Sequence, residues 1–255
     1  MAFSEFHLSQ TNSLSKMVSF HAIVPQGKKG PFPVLYLLHG MSDNNTAWTR
    51  RTSIERYVED LPLIVVMPDG DRSFYCDAIE RPTWKYESYI TSDLIDFVDE
   101  TFRTVRSPKG RAIAGLSMGG YGAMKLALKF PKLFGVGISY SGALLAAARS
   151  ESPEWSASKE WTDIFGPAPK GGPNDTLALA EAAAGKGNAP ALWIDCGSSD
   201  FLIEENRAFH EHLNRLGIAH EYSEHEGAHS WDYWDAALLR TLPWLKERLG
   251  IAPPR

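Results

Sequence analysis

Short, near-continuous apolar runs recur along the chain at Val34–Leu38, Leu63–Met67, Phe134–Tyr140 and Ala191–Cys196, each closing on turn-forming residues. Runs of this length predict strands covered on both faces. A fifth, Ala112-Ile113-Ala114, passes through Gly115-Leu116-Ser117-Met118-Gly119-Gly120-Tyr121-Gly122 and opens into Ala123-Met124-Lys125-Leu126-Ala127-Leu128. That order reads as strand, sharp turn and a helix beginning at Ser117. Elsewhere the apolar positions switch to helical spacing. Ala47–Asp60 has helical character, and Tyr86, Ile90, Leu94, Phe97, Val98 and Phe102 form one stripe with acids between them. Glu204–Leu216 buries Phe209, Leu213 and Leu216 and stops at Gly217, a C-cap position. Trp231, Trp234, Leu238, Leu242 and Leu245 mark a terminal helix that Pro243 should break or kink. At the N-terminus, Phe3–Ser9 and Lys16–Val24 are extended segments joined by polar Gln10-Thr11-Asn12-Ser13, an antiparallel hairpin. Pro25–Pro31 is a surface turn, Asp71–Pro82 a loop and Ala219–Ser223 a last short strand.

Strands alternating with helices imply crossover connections and a mostly parallel sheet with helices on both faces, the α/β class. One stretch departs from that rhythm. Residues 143–190 mix short helical pieces, Ala143–Ala148 and Thr176–Ala184, with the breakers Gly166-Pro167 and Gly171-Gly172-Pro173. It is too long for an ordinary crossover, and we expect an insertion capping the site within a single domain spanning 1–255.

Composition narrows the partners. The 255 residues are 44% apolar with a net charge of −5, so a large core is available and no basic face for nucleic acid or an anionic membrane. The start, Met1-Ala2-Phe3-Ser4-Glu5-Phe6-His7, has no basic segment followed by an apolar one, and no later run approaches a membrane span. The expectation is a soluble cytoplasmic protein acting on a small molecule. Cys76 and Cys196 lie far apart in dissimilar contexts and are expected to be reduced thiols.

Chemistry centres on Ser117. A serine hydroxyl is a weak nucleophile unless a tight turn presents it and a base lies within reach. Side chains at Gly115 and Gly119 would collide across such a turn. The helix behind it points unpaired N–H groups at charge forming on a substrate. Groups on an open parallel sheet converge at the carboxyl ends of its strands. Asp200 lies just past Ala191–Cys196, and His229 just past Ala219–Ser223. Ser117, Asp200 and His229 thus have the types and chain order of nucleophile, orienting acid and base. Asp195 competes with Asp200 but lies inside its strand and should face one side of the sheet. His225 and His220 compete with His229, which has a flexible approach through Gly227-Ala228. The N–H groups of Met41, after Gly40, and Met118 are the candidate oxyanion donors. His39 is assigned to holding that loop.

No metal or cofactor is expected. His225-Glu226-Gly227-Ala228-His229 matches the H-E-x-x-H zinc pattern, but it contains glycine and sits where a strand hands over to a loop, whereas that pattern requires a helix. His210 and His212 are two apart on a helix and face different ways. Asp69-Gly70-Asp71 lacks the spacing of a calcium loop.

With Leu35-Tyr36-Leu37-Leu38-His39-Gly40-Met41-Ser42, Asn44, Asn45, Trp48, Arg51–Arg56, the Ser117 turn, Ser141-Gly142-Ala143-Leu144, Asp200-Phe201-Leu202 and Gly227-Ala228-His229-Ser230-Trp231 in view, the chain resembles the putative-esterase branch of the α/β-hydrolases. That branch contains esterase D, feruloyl esterases and mycolyl transferases, and within it the likeness is to bacterial tributyrin esterases. The resemblance implies the α/β-hydrolase fold and a serine carboxylesterase acting on short-chain acyl esters, acetyl to butyryl. It implies Ser117 as nucleophile, Asp200 as acid, His229 as base, the N–H groups of Met41 and Met118 as oxyanion donors, and a homo-oligomer. Feruloyl or acetyl-xylan esterase is the alternative, with Trp48, Phe74, Tyr75 and Trp231 available to line an aryl or sugar site. S-formylglutathione hydrolase fits less well, because Met41-Ser42-Asp43-Asn44 replaces the usual Leu-Thr-Cys-Thr. A catalytically silent binding protein on this scaffold is the reading from a different class.

Overall fold

The apolar runs become strands of one eight-stranded sheet in the computed structural model, which describes residues 1–9, 11–149 and 152–251. Gln10, in the expected hairpin connection, and Ser150 and Glu151, in the expected insertion, lie outside the described residues. The strands are Ala2–Leu8 (β1), Val18–Val24 (β2), Val34–Leu38 (β3), Ile64–Pro68 (β4), Arg111–Leu116 (β5), Val136–Tyr140 (β6), Ala191–Gly197 (β7) and His220–His225 (β8). They lie in the order β1-β2-β4-β3-β5-β6-β7-β8. β1 and β2 form the expected hairpin and β2 meets β4 antiparallel, while β3 to β8 are parallel. Every residue of β3, β4, β5 and β6 is buried, as strands covered on both faces must be.

The helices are Ala47–Arg51 (α1), Ile54–Val58 (α2), Tyr86–Ser88 (α3), Ile95–Thr101 (α4), Met118–Lys129 (α5), Ala146–Arg149 (α6), Pro153–Ser156 (α7), Lys159–Phe165 (α8), Thr176–Lys186 (α9), Ile203–Arg215 (α10) and Trp231–Arg248 (α11). One face of the sheet packs Phe20, Tyr36 and Ile113 against Ile90, Leu94 and Val98 and the inner side of α5. The other packs Leu35, Val65, Ala114 and Ile138 against α1, α2 and the Leu238, Leu242 and Leu245 stripe of α11. α10 ends at Gly217 in the left-handed region, φ 68°. Burial there takes Phe209 and Leu213, with Leu216 only partly covered.

Three local expectations change. The helical stretch from Ala47 is two short helices, because Thr52 is extended and Asp235 Oδ1 on α11 accepts the Ser53 N–H at 2.9 Å. Between α3 and α4 the chain makes a π-helical turn, Tyr89–Leu94. Its wider turn keeps Tyr89, Ile90, Leu94 and Ile95 all inside. Pro243 sits within α11 without ending it. The carbonyl it leaves unbonded belongs to half-exposed Leu239, where solvent can replace the bond. Of residues 143–190, α8 packs Trp161 and Phe165 on Phe74, and Ala180 and Ala183 of α9 join Met124 and Leu128 of α5 in one apolar cluster. No helix among the described residues is long and apolar enough to cross a membrane.

β5, which carries Ser117 beyond its end, is anchored at its start. The buried Arg111 guanidinium pairs with Asp99 Oδ2 at the end of α4, and Thr104 Oγ1 donates to Oδ1 of the same carboxylate. Deleting one member of such a pair leaves an uncompensated buried charge. Asp99→Ala should therefore lower the free energy of unfolding by about 3–5 kcal/mol, read from urea titration. A loss under about 1 kcal/mol would show that solvent reaches Arg111.

Candidate active site

Ser117 occupies the turn between β5 and α5 with φ 53° and ψ −116°, a backbone conformation that costs a non-glycine residue about 1–3 kcal/mol. Main-chain bonds hold it there. Its N–H donates to Tyr140 O at 3.0 Å, and its carbonyl accepts from Tyr121 at 3.0 Å and Ala143 at 3.1 Å. The glycines are required by contact. A Cβ on Gly115 would fall on the backbone of Gly119, and one on Gly119 would stand 2.5 Å from Leu38 O and 2.6 Å from His39 O. A Cβ on Gly40 would stand 2.7 Å from Leu116 Cδ1 and 3.7 Å from Ser117 Cβ, so the loop after β3 lies against the serine.

Asp200 follows β7 and is 2% exposed. Its Oδ1 accepts the Leu202 N–H at 2.8 Å, and its Oδ2 and Oδ1 lie 2.8 and 3.0 Å from His229 Nδ1. Burial pushes its carboxyl up, but the bonds from His229, from Leu202 and from the Ser141 hydroxyl outweigh that and hold it below the usual carboxylate range. With Nδ1–H committed to the carboxylate, the lone pair of the ring is on Nε2. His229 lies between β8 and α11, at Gly227-Ala228-His229-Ser230, where Gly227 takes φ 147° against the Tyr233 ring. Gly227 O accepts the Ser199 N–H at 2.9 Å, tying the loop of His229 to that of Asp200. The imidazole stands edge-on to Trp234, centroids 4.8 Å apart, and Phe201 tilts over it at 4.5 Å.

The rivals are committed elsewhere. Asp195 is fully buried and accepts from Ser223 Oγ, Tyr233 OH and Arg240. His220 Nε2 meets His210 Nδ1 at 2.7 Å. His225 ends β8 on an exposed site 3.9 Å from Asp195, and the run 225–229 is strand end and loop, not helix. His212 turns instead toward Leu177 O. Cys76 and Cys196 are free and buried.

His39 holds the loop after β3, as expected. Its Nε2 accepts the Gly70 N–H at 2.8 Å, which places the ring proton on Nδ1, 2.7 Å from Gly40 O. Asp69, 3.4 Å from that same Nε2, is therefore a neighbour rather than an acceptor. Among the described residues, neither the Met41 nor the Met118 N–H donates to a protein acceptor.

Ser117 and His229 line one cleft of about 580 Å³ with Met41, Phe201, Trp231 and Trp234. No hydrogen bond among the described residues joins the serine hydroxyl to the ring. Of the four aromatics considered for an aryl or sugar site, only Trp231 lines the cleft, since Trp48, Phe74 and Tyr75 are in the core. No described residue of 143–190 lines it. Sequence reasoning missed Ser141 and Trp234 as supports. Ser141, just past β6 with φ 49°, accepts from Trp234 Nε1 at 3.1 Å, and its hydroxyl is among the groups that hold the Asp200 carboxyl down. The one available signal was a serine–glycine pair at a strand's carboxyl end.

The profile of the family described as "Putative esterase" matches residues 11–245. The chain is 31% identical over 221 residues to an acetyl esterase of Caldicellulosiruptor saccharolyticus, covering 84% of this chain and 83% of that protein. Substrate-bound FphF, a fluorophosphonate-binding serine hydrolase of Staphylococcus aureus, superposes with a TM-score of 0.86 at 29% identity, over 96% of this chain and 98% of the other. The S-formylglutathione hydrolase FrmB of Staphylococcus aureus gives 0.84 at 30% identity, over the same shares of the two chains.

Because the folded Asp200 carboxyl titrates below its unfolded value near 3.9, its stabilisation is complete above about pH 5 and is lost as pH falls through the folded value. Asp200→Asn should therefore unfold at lower urea than the parent at pH 5, with the gap closing as pH falls below the unfolded carboxyl's value. A gap that widens on acidification would contradict this assignment.

Proposed function

The chain belongs to the putative esterase family of the α/β-hydrolases, and on that premise we propose that it is a serine carboxylesterase hydrolysing short-chain acyl esters, acetyl to butyryl, through an acyl-enzyme. The observation that carries the reading is an imidazole anchored on a buried carboxylate and sharing a cleft with the serine of the strained turn. Ser117 Oγ attacks the ester carbonyl carbon while His229 Nε2 takes its proton. The tetrahedral oxyanion accepts the Met41 and Met118 N–H groups. The carbon–oxygen bond to the alcohol breaks, the alcohol leaves with the proton from His229, and water repeats the sequence to release the acid. Asp200 keeps the ring in the tautomer that can accept and steadies the imidazolium. The bond from Oγ to Nε2 is one that commonly tightens only as substrate docks.

Acetyl to butyryl chains suit a cleft whose lining includes the apolar Leu116, Trp231 and Trp234. The likeness to an acetyl esterase supports the acetyl end of that range. The likeness to an S-formylglutathione hydrolase gives a second reading, a thioester substrate, which the Met41-Ser42-Asp43-Asn44 run disfavours.

Ser117→Ala should lower turnover of p-nitrophenyl acetate and butyrate about ten-thousandfold or more, with the melting temperature kept. Near-normal activity in that variant would end the proposal. A screen of acetyl, butyryl and octanoyl esters with methyl ferulate, acetylated xylan and S-formylglutathione should give the highest kcat/KM with the short simple esters. Failure of the wild-type serine to label with a fluorophosphonate would favour the silent binding protein.

A further inference from the structure

Tyr75 lies outside the cleft and is fully buried, yet the chain goes to unusual lengths to place it. Phe74 and Tyr75 both take left-handed backbone conformations, φ 52° and 53°, which non-glycine residues adopt at a cost. The ring is wedged between two glycines. A Cβ on Gly122 of α5 would stand 2.5 Å from Tyr75 Cδ2, and one on Gly70 would stand 2.6 Å from Cζ. At its tip, the hydroxyl donates to His39 O at 3.0 Å, two residues before Met41. At its root, the main-chain carbonyl accepts from Lys125 Nζ at 2.6 Å.

Lys125 belongs to α5 and is itself wholly buried, its charge matched by Glu87 Oε2 at 2.7 Å, with Lys129 on the other oxygen. A buried ammonium is costly unless paired and bonded. Here it ties the root of the tyrosine to the helix that begins at the nucleophile. Gly70, against the ring, also gives its N–H to His39 Nε2. The loop after β3 is thus held at His39 by both the hydroxyl of Tyr75 and the residue packed against its ring.

We infer that Tyr75 is a positioning residue that sets the distance between the Met41 and Met118 N–H groups, acting as a strut from α5 to the loop after β3. The inference rests on the oxyanion reading given above. An oxyanion pair works only if both donors are fixed where the charge develops, and losing one outright costs about a hundredfold to a thousandfold. Loosening one through its support should cost less. A tyrosine that merely fills the core would, on losing its hydroxyl, lower stability and leave the kinetics unchanged.

The test is Tyr75→Phe, which keeps the ring. With p-nitrophenyl butyrate, kcat should fall about tenfold and KM should stay within about twofold. Phenylboronic acid gives a readout that packing alone would not move. Ser117 Oγ adds to boron, its proton passes to His229, and a boron-borne oxygen takes the oxyanion position. Its inhibition constant should rise by the same factor as kcat falls. Gly70→Ala, which displaces the ring and keeps the hydroxyl, should reproduce both changes and carries the test if Tyr75→Phe does not fold. Turnover and boronate affinity both within about twofold of the parent would overturn the inference. If Ser117→Ala is inactive in the same assay, that failure belongs to Tyr75 alone. If Ser117→Ala is active or boronate does not inhibit the parent, the oxyanion reading beneath it fails, and the inference with it.

Discussion

Backbone lies against backbone at the carboxyl end of the central strands, and that crowding is the constraint on which the site depends. The end of β3, the turn out of β5 and the first turn of α5 meet with no space for side chains at Gly115 or Gly119. Gly120 and Gly142 extend the same close approach to β6, both against the Ser139 side chain. Main-chain groups so packed have little room to relax. A strained φ at Ser117 can then be held by neighbours rather than by its own preference, and N–H groups beside it stay aimed without reorganisation.

Two carboxylates five residues apart, one within β7 and one just beyond it, show how the same side chain is given different work. Asp195 faces sideways into a fully buried site and is saturated by Ser223, Tyr233 and Arg240, so it clasps β7, β8 and α11 together. Asp200, beyond the strand end, receives bonds from Leu202 and Ser141 that keep it ionised, and has lone pairs left for the imidazole. Each buried carboxylate is stabilised by donors, but of the two only Asp200 meets an imidazole within hydrogen-bond distance.

Much of this was readable in advance, and the boundary of what was readable is physical. Strand runs, the parallel sheet and the N-terminal hairpin follow from periodicity, because burial on both faces leaves no polar positions to blur the signal. The turn at Ser117 was legible because glycine on both sides of a serine has few other uses. The choice of Asp200 over Asp195 followed from which residue sits past a strand end. What escaped reading was tertiary. The break at Thr52 comes from Asp235, 182 residues from the Ser53 whose N–H it accepts, and the π turn comes from packing demands on two adjacent pairs of core residues. Trp48, Phe74 and Tyr75 looked like candidate ligand contacts because aromatic residues serve cores and clefts alike, and only the fold separates the uses. The length of 143–190 marked it as irregular and suggested a cap over the site, whereas its described residues pack on Phe74 and on α5 and none lines the cleft.

The two outermost strands of the sheet, β1 and β8, end it with open hydrogen-bonding edges, which in a wide sheet invite pairing with a neighbouring molecule. β8 reads His-Glu-Tyr-Ser-Glu-His and has no fully buried residue, while β1 sets Glu5 and His7 among its outward positions. Charge and imidazole along both rims make strand addition unfavourable. Rims of this kind disfavour edge-to-edge extension of the sheet from one molecule to the next.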